Sequence, residues 1–346
     1  MKNPFNINFG KEPFSIISRE NELHDVYESF SSDYPFSNVF ILTGTRGSGK
    51  TVAMTNISNY YKKEKNWICV ELNPEIDLLE QLASKLYDEG KLRKLFISTE
   101  FSFSFNGIGV SIKGKEPLSN ITTLLEREFE YLNKKGIKVL ISIDEIVTNN
   151  HMKIFCHEFQ SFLRQNFSVY LIMTGLYQNV YLLENQKTLT FLYRAPKIYL
   201  DSLNPRAIAN SYKNIFGISE SECIKLAKFT DGYAFAYQLL GNILFLNNKT
   251  TIDDFVIQKF DEAIQSSAYK IIYNELSQKE KEILKKSIED NSNEFIINNC
   301  NMSKSQLSDY KKRLFLKGII LDNRNSIIFK LPRFKEFIEF IKEYEW

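Results

Sequence analysis

The chain has 346 residues, is 43% hydrophobic and 25% charged, and carries a formal net charge of +2. That length allows two domains or three small ones, the composition is ordinary for a globular protein, and a basic surface for nucleic acid would have to be local. The four cysteines form no C-x-x-C pair and read as reduced structural thiols. The first residues lack the apolar stretch of a signal peptide and no run of 18 apolar residues exists, so a cytoplasmic chain without a membrane span is expected.

Residues 1–17 read as an extended lead-in, after which Ser18 is placed to cap a helix over 19–30. A continuous apolar run over 38–43 predicts a buried strand. It ends in Gly44-Thr45-Arg46-Gly47-Ser48-Gly49-Lys50-Thr51, which has the G-x-x-x-x-G-K-[ST] spacing of a phosphate-binding loop, and a helix is expected over 50–63. Strands follow at 67–72, 138–143, 168–173 and 197–200, with helices over 75–89, 118–135 and 151–166. Strands alternating with helices predict a parallel sheet covered on both faces, with ligands at the strands' carboxyl ends. Residues 101–113 alternate apolar and polar on either side of Asn106-Gly107, a hairpin signal. It fits either a sheet-edge hairpin or an arm for DNA or a neighbouring subunit.

After Asn204-Pro205 the pattern becomes helical. Ser219-x-x-Glu222 and Ser277-x-x-Glu280 have capping-box spacing. Residues 270–346 predict helices over 277–289, 293–299 and 303–317, two β-like runs at 319–322 and 326–331, and a final helix, which is the order of a winged helix. The expected architecture is therefore an α/β phosphate-loop domain over 1–203, a helical lid over 204–269 and a winged helix over 270–346.

The chemistry follows from residue types. Gly44, Thr45, Arg46, Gly47, Ser48 and Gly49 would cradle phosphate with backbone N–H groups, Arg46 being a solvated position of the loop. Lys50 would meet the β- and γ-phosphates, and the Thr51 hydroxyl would ligate Mg²⁺. Asp144 ends the strand over 138–143 and would hold Mg²⁺ with Thr51; Glu145 beside it is the candidate general base. Thr174 would bond the γ-phosphate or the attacking water. Arg194 is a candidate arginine finger toward a neighbouring copy in a homo-oligomer, the alternative being a surface ion pair. His151, Cys156 and His157 lack the spacing of a metal site.

Ser18-Arg19-Glu20-Asn21-Glu22-Leu23, GTRGSGKT, ISIDE and LIMTG together resemble the AAA+ and STAND ATPases, and are most similar to the origin-recognition-like and archaeal-type ATPase families. The resemblance covers roughly 14–267. It implies ATP with Mg²⁺, places Arg19 near the adenine, and makes Thr230–Gly241 the lid motif, with Ala234 where those families carry proline and no arginine at the usual second-sensor place. It also implies a C-terminal winged helix. Between Ser303 and Lys335 nine cations face two acids, and Lys304, Lys311, Lys312, Arg313, Lys330 and Arg333 are the candidate DNA contacts. The expectation is an ATP-hydrolysing switch acting on DNA. The alternative is a STAND-type signalling ATPase whose winged helix and hairpin hold a protein partner.

Overall fold

The structure is a computed structural model and describes residues 2–7, 14–89, 99–105, 108–112, 116–117, 121–187 and 189–344. Helix α1 (Glu20–Ser31) leads into β1 (Val39–Thr43), which is buried along its whole length. Its continuous apolar run has a simple cause. Val39 and Ile41 pack into one core while Phe40 and Leu42 pack into another, on opposite faces of the sheet. The chain continues through α2 (Lys50–Lys62), β2 (Trp67–Leu72) and α3 (Leu78–Asp88). Next come the antiparallel pair β3 (Thr99–Phe105) and β4 (Ile108–Ile112), in register Phe101↔Ile112 and Phe105↔Ile108, and the short β5 (Glu116–Pro117). Asn106, Gly107 and Lys113 of the expected hairpin lie outside the described residues.

Then follow α4 (Ile121–Lys134), β6 (Lys138–Ile143), α5 (Asn150–Arg164), β7 (Val169–Gly175), α6 (Tyr177–Glu184), α7 (Thr190–Arg194) and β8 (Lys197–Tyr199). Five strands pair in parallel in the order β2-β6-β7-β1-β8. All five carboxyl ends therefore point one way, and the turns after β1, β6 and β7 meet at one edge. Two sequence expectations need correction. Helices α6 and α7 fill a stretch assigned no element. Arg19, not Ser18, occupies the cap position of α1, and the Ser18 hydroxyl accepts from the Glu20 amide at 3.2 Å.

The rest of the described chain is nearly all helical. Asn204 caps α8 (Pro205–Phe216) by accepting from the Arg206 and Ala207 amides. Helices α9 (Glu220–Phe229), α10 (Ala234–Leu246) and α11 (Asp254–Ile264) follow, and α11 runs through a π-helical turn, Gln265–Tyr269, into α12 (Lys270–Asn274). The last part holds α13 (Gln278–Ser287), α14 (Asn293–Asn299), α15 (Lys304–Leu316) and α16 (Phe334–Tyr344), with antiparallel bridges Ile320↔Phe329 and Ser292↔Ser326. Ser277 and Glu280 complete a capping box in both directions, whereas at α9 the Ser219 hydroxyl accepts from the Glu222 amide. One apolar cluster runs from Leu203 to Ile341, so helices α8 to α16 share a core. Phe5 joins it from the far end of the chain; a Cβ on Gly241 would stand 2.3 Å from the Phe5 ring, so glycine is what admits it. All four cysteines are free, and no helix among the described residues is long and apolar enough to cross a membrane.

Candidate functional site

The loop between β1 and α2 turns on glycine. Gly47 and Gly49 have φ of 74° and 92°, the left-handed region that L side chains rarely occupy. A Cβ on Gly44 would lie 2.6 Å from Ser48 Oγ and 2.8 Å from the Leu200 carbonyl. Lys50 opens α2 and is 8% exposed. Its Nζ folds back to donate to the carbonyls of Thr45 (2.7 Å) and Gly44 (3.3 Å). Burial pulls its pKa down to about 8, against the pull of Asp144 and Glu145.

The carboxylate of Asp144 ties three elements together. Thr51 Oγ1 donates to Asp144 Oδ2 at 2.8 Å, and Thr174 Oγ1 donates to Asp144 Oδ1. The Glu145 amide donates to Asp144 Oδ1 and to Thr174 Oγ1, both at 3.1 Å. Glu145 has φ of 51°, uncommon for a residue with a side chain. This turn directs an exposed Glu145 into the cleft while Asp144 stays half-buried. Among the described residues no group of three or more His, Cys, Asp or Glu is placed to hold a metal. A hydroxyl and a carboxylate side by side fit Mg²⁺, which keeps several waters and takes its other oxygens from phosphate. The nucleotide fit rests on the loop itself: curled glycines, a buried lysine bonded to carbonyls, and Ser48 Oγ buried with no partner among the described residues.

The cleft in front of the loop holds about 1360 Å³ and is lined from both sides, by Lys50, Asp144 and Glu145 below and by Phe235, Gln238 and Ile271 above. Tyr233 and Phe235, at the start of α10, press directly on the loop. Tyr233 Oη donates to the Arg46 carbonyl at 2.7 Å, and the Phe235 amide donates to the Gly47 carbonyl at 3.1 Å. The Arg46 side chain reaches Glu275 at 3.5 Å. Arg19 lines the cleft, yet its buried guanidinium braces the loop from behind, donating to the carbonyls of Ser48 (3.1 Å) and Asp201 (2.8 Å). These lid contacts cross some 190 residues of sequence, and only the geometry of Gly47, 2.5 Å from Tyr233 Oη if it carried a Cβ, hints at one.

Arg194 is exposed at the end of α7, before the amino end of β8. It lines a separate cavity of about 600 Å³ with Asp33, Phe36 and Phe191. The parallel sheet puts that cavity at the end opposite the phosphate loop, so Arg194 has no route to the loop of its own chain.

The C-terminal cations are largely engaged within the chain. Lys311 Nζ donates to Asn293 Oδ1 (2.9 Å) and to the carbonyls of Asn323 (2.7 Å) and Ser326 (3.1 Å). Lys330 bonds Asp201 at 2.7 Å and the Tyr177 hydroxyl at 3.2 Å. Arg333 makes a two-pronged contact with Asp261 at 2.5 and 2.6 Å. Lys312 lies over the Tyr181 ring and Arg313 over that of Tyr310. Lys304 is exposed at the start of α15. Lys311, Lys330 and Arg333 thus hold the C-terminal helices together and against the rest of the chain.

A parallel sheet in this strand order, with its phosphate loop after β1, its acid after β6 and its threonine in β7, is a P-loop nucleoside-triphosphatase fold. The chain is similar in structure to the Walker-type ATPase of Pyrococcus abyssi, at TM-score 0.65 and 15% identity over 94% of this chain and 96% of that one. It is also similar to the ORC2 protein of Aeropyrum pernix in its ADPNP–ADP complexes, at TM-score 0.61 and 12% identity over 97% of both. A third is Cdc6p from Pyrobaculum aerophilum, at TM-score 0.50 and 16% identity over 97% and 96%. No protein-family model matches the sequence, and no curated protein matches it.

Proposed function

We propose that this chain is an ATP-hydrolysing conformational switch. The observation that carries it is the bonded row Thr51–Asp144–Thr174 beside Lys50, on a cleft lined across from it by Phe235, Gln238 and Ile271. Mg²⁺ bound at Thr51 and Asp144 would neutralise phosphate charge when ATP is present. Lys50 swings from its carbonyl partners to the phosphates, Thr174 fixes Asp144, and Glu145 takes the proton of the attacking water. ADPNP and ADP in the similar ORC2 structure support a nucleotide in this cleft. The test is Glu145→Gln: ATP binding stays and hydrolysis slows on the order of 100-fold. Turnover at the parent rate would move the base elsewhere.

We read the C-terminal unit as a winged helix, from three helices followed by the Ile320↔Phe329 bridge. Internal pairing of Lys311, Lys330 and Arg333 favours the reading in which that unit docks on the ATPase face and responds to a protein partner. A second reading, duplex DNA binding, is favoured by Lys304, Arg313 and Arg324, which stay exposed and form no ion pair among the described residues. Salt-dependent affinity for duplex in either nucleotide state decides between them. Arg194 would serve only a neighbouring copy's site, which makes a homo-oligomer its working state. Activity regained on mixing Arg194→Ala with Lys50→Ala is the sign of it.

A further inference from the structure

The turn that joins the lid to the C-terminal helices lies on the nucleotide cleft. Between α11 and α12 the chain makes one π-helical turn, Gln265–Tyr269, closed by the Lys270 amide on the Gln265 carbonyl. A π-turn adds a residue to the helix, is rarely retained without a use, and tends to sit at functional sites. Here its two faces do different things. Tyr269 is fully buried; its hydroxyl donates to the Pro332 carbonyl, and its ring packs on Phe334 and Phe337 of the C-terminal unit. Ser267, Ala268 and Ile271 look the other way and line the cleft.

Ile271 is 42% exposed there. Two other isoleucines remain open to the same cleft, Ile7 at 42% and Ile16 at 37%. Both come from the N-terminal lead-in. The first is held by its neighbour Phe5 in the lid core, and the second is held where Gln238 Nε2 donates to the Ser15 carbonyl at 2.6 Å. Large apolar side chains left open in a concave site are recognition surface. Lys50, Thr51 and Asp144 make the other end of the cleft polar and suited to phosphate, so the isoleucines suit an uncharged aromatic ring.

We propose that Ile271, set on the cleft by the π-turn, is a base-contacting residue, and that base occupancy is reported through this turn to the C-terminal unit by way of Tyr269. This rests on the nucleotide-binding reading above. Binding of a nucleobase would cover Ile271 and hold the turn in its present register, since the turn's other face is fixed on Pro332 and Phe334.

The test compares ATP with inorganic tripolyphosphate, which has the phosphates and no base, on the full chain by calorimetry. Ile271→Asn should weaken ATP binding about tenfold, the scale of one partly buried aliphatic side chain. Ile271→Val should stay within about twofold of the parent, and tripolyphosphate should bind all three proteins alike. ATP, but not tripolyphosphate, should also slow amide exchange over 265–274 in the parent. Unchanged ATP affinity in Ile271→Asn overturns the assignment, as does an equal loss for both ligands or equal protection by both. A parent that binds neither ligand overturns the nucleotide reading itself, a separate result.

Discussion

Gly318 and Thr45 stand so close that a methyl group built on the glycine would lie 2.2 Å from Thr45 Cγ2. Gly318 also has φ of 73° and closes α15 through its amide, which donates to the Phe315 carbonyl at 2.8 Å. Glycine is therefore required twice, for the left-handed turn and for the approach of the C-terminal unit to the phosphate loop. The contact is reinforced on either side by Arg46–Glu275 and by Lys330–Asp201.

Gly318→Ala should cost about 1–2 kcal/mol for the left-handed backbone alone, and its methyl should lift the C-terminal unit from Thr45. The expected result is a lower urea midpoint together with faster release of bound ADP. Loss of stability with an unaltered release rate would mean that the contact packs the fold without governing the loop.

Lys50 gives a pH signature of two opposite signs. The unfolded chain keeps this proton up to its ordinary pKa of 10.5, whereas the folded chain releases it near 8. The unfolded state thus holds more protons between about 8 and 10.5, and stability rises with pH across that window. Phosphate attraction needs the charged amine, so ATP affinity should fall over the same range. Urea midpoints from pH 7 to 10 check the first and calorimetry the second. In Lys50→Met this part of the stability rise should vanish; its persistence would assign the effect to another group.

The loop, Asp144 and Thr174 are legible in sequence because each is written locally, as an apolar strand followed at once by the residues that gather at the cleft. Helix α6 is not, since Val180 and Leu183 are buried while Tyr181 and Leu182 are exposed, and eight residues give too little period to read. Tyr233 falls in the stretch Thr230–Gly241 that the resemblance marks, but its contact with the loop is not written there; Gly318 and Ile271 reach the loop or the cleft only through packing across the whole chain, and no local pattern marks them. The count of C-terminal cations leaves their internal partners unread for a related reason. A charge sum carries no record of partners, and Lys311, Lys330 and Arg333 have theirs in Asn293, Asp201 and Asp261.

Lys311 therefore serves as a test of whether its internal bonds or a duplex contact is its use. Its amine gathers the start of α14 and the turn over 323–326, with three acceptors within 3.1 Å. Lys311→Met keeps the aliphatic stem and strands those acceptors, which should cost about 1–3 kcal/mol. Any duplex affinity of the parent, and its salt slope, should be unchanged. A drop in duplex affinity with normal stability would return Lys311 to a DNA-facing role.

Glu128 supplies the last prediction, away from the site. It is buried on the inner face of α4 among Leu124, Leu125 and Phe129, and its Oε2 has no hydrogen-bond partner among the described residues. Burial raises its pKa to about 8. The folded chain keeps the proton that the unfolded chain releases near 4.5, so the folded state holds more protons between about 4.5 and 8. Stability from this group is fully present at the acid end of that window and is lost as pH climbs through it. Glu128→Met removes the charge that must be desolvated and the orphan oxygen with it. Stability at pH 8 should rise by about 1–3 kcal/mol, and the gain should be smaller at pH 5, where the parent carboxyl is already neutral in the fold. Urea unfolding of both proteins at the two pH values checks it. An equal gain at both would show that Glu128 does not titrate on unfolding and that the benefit comes from packing alone.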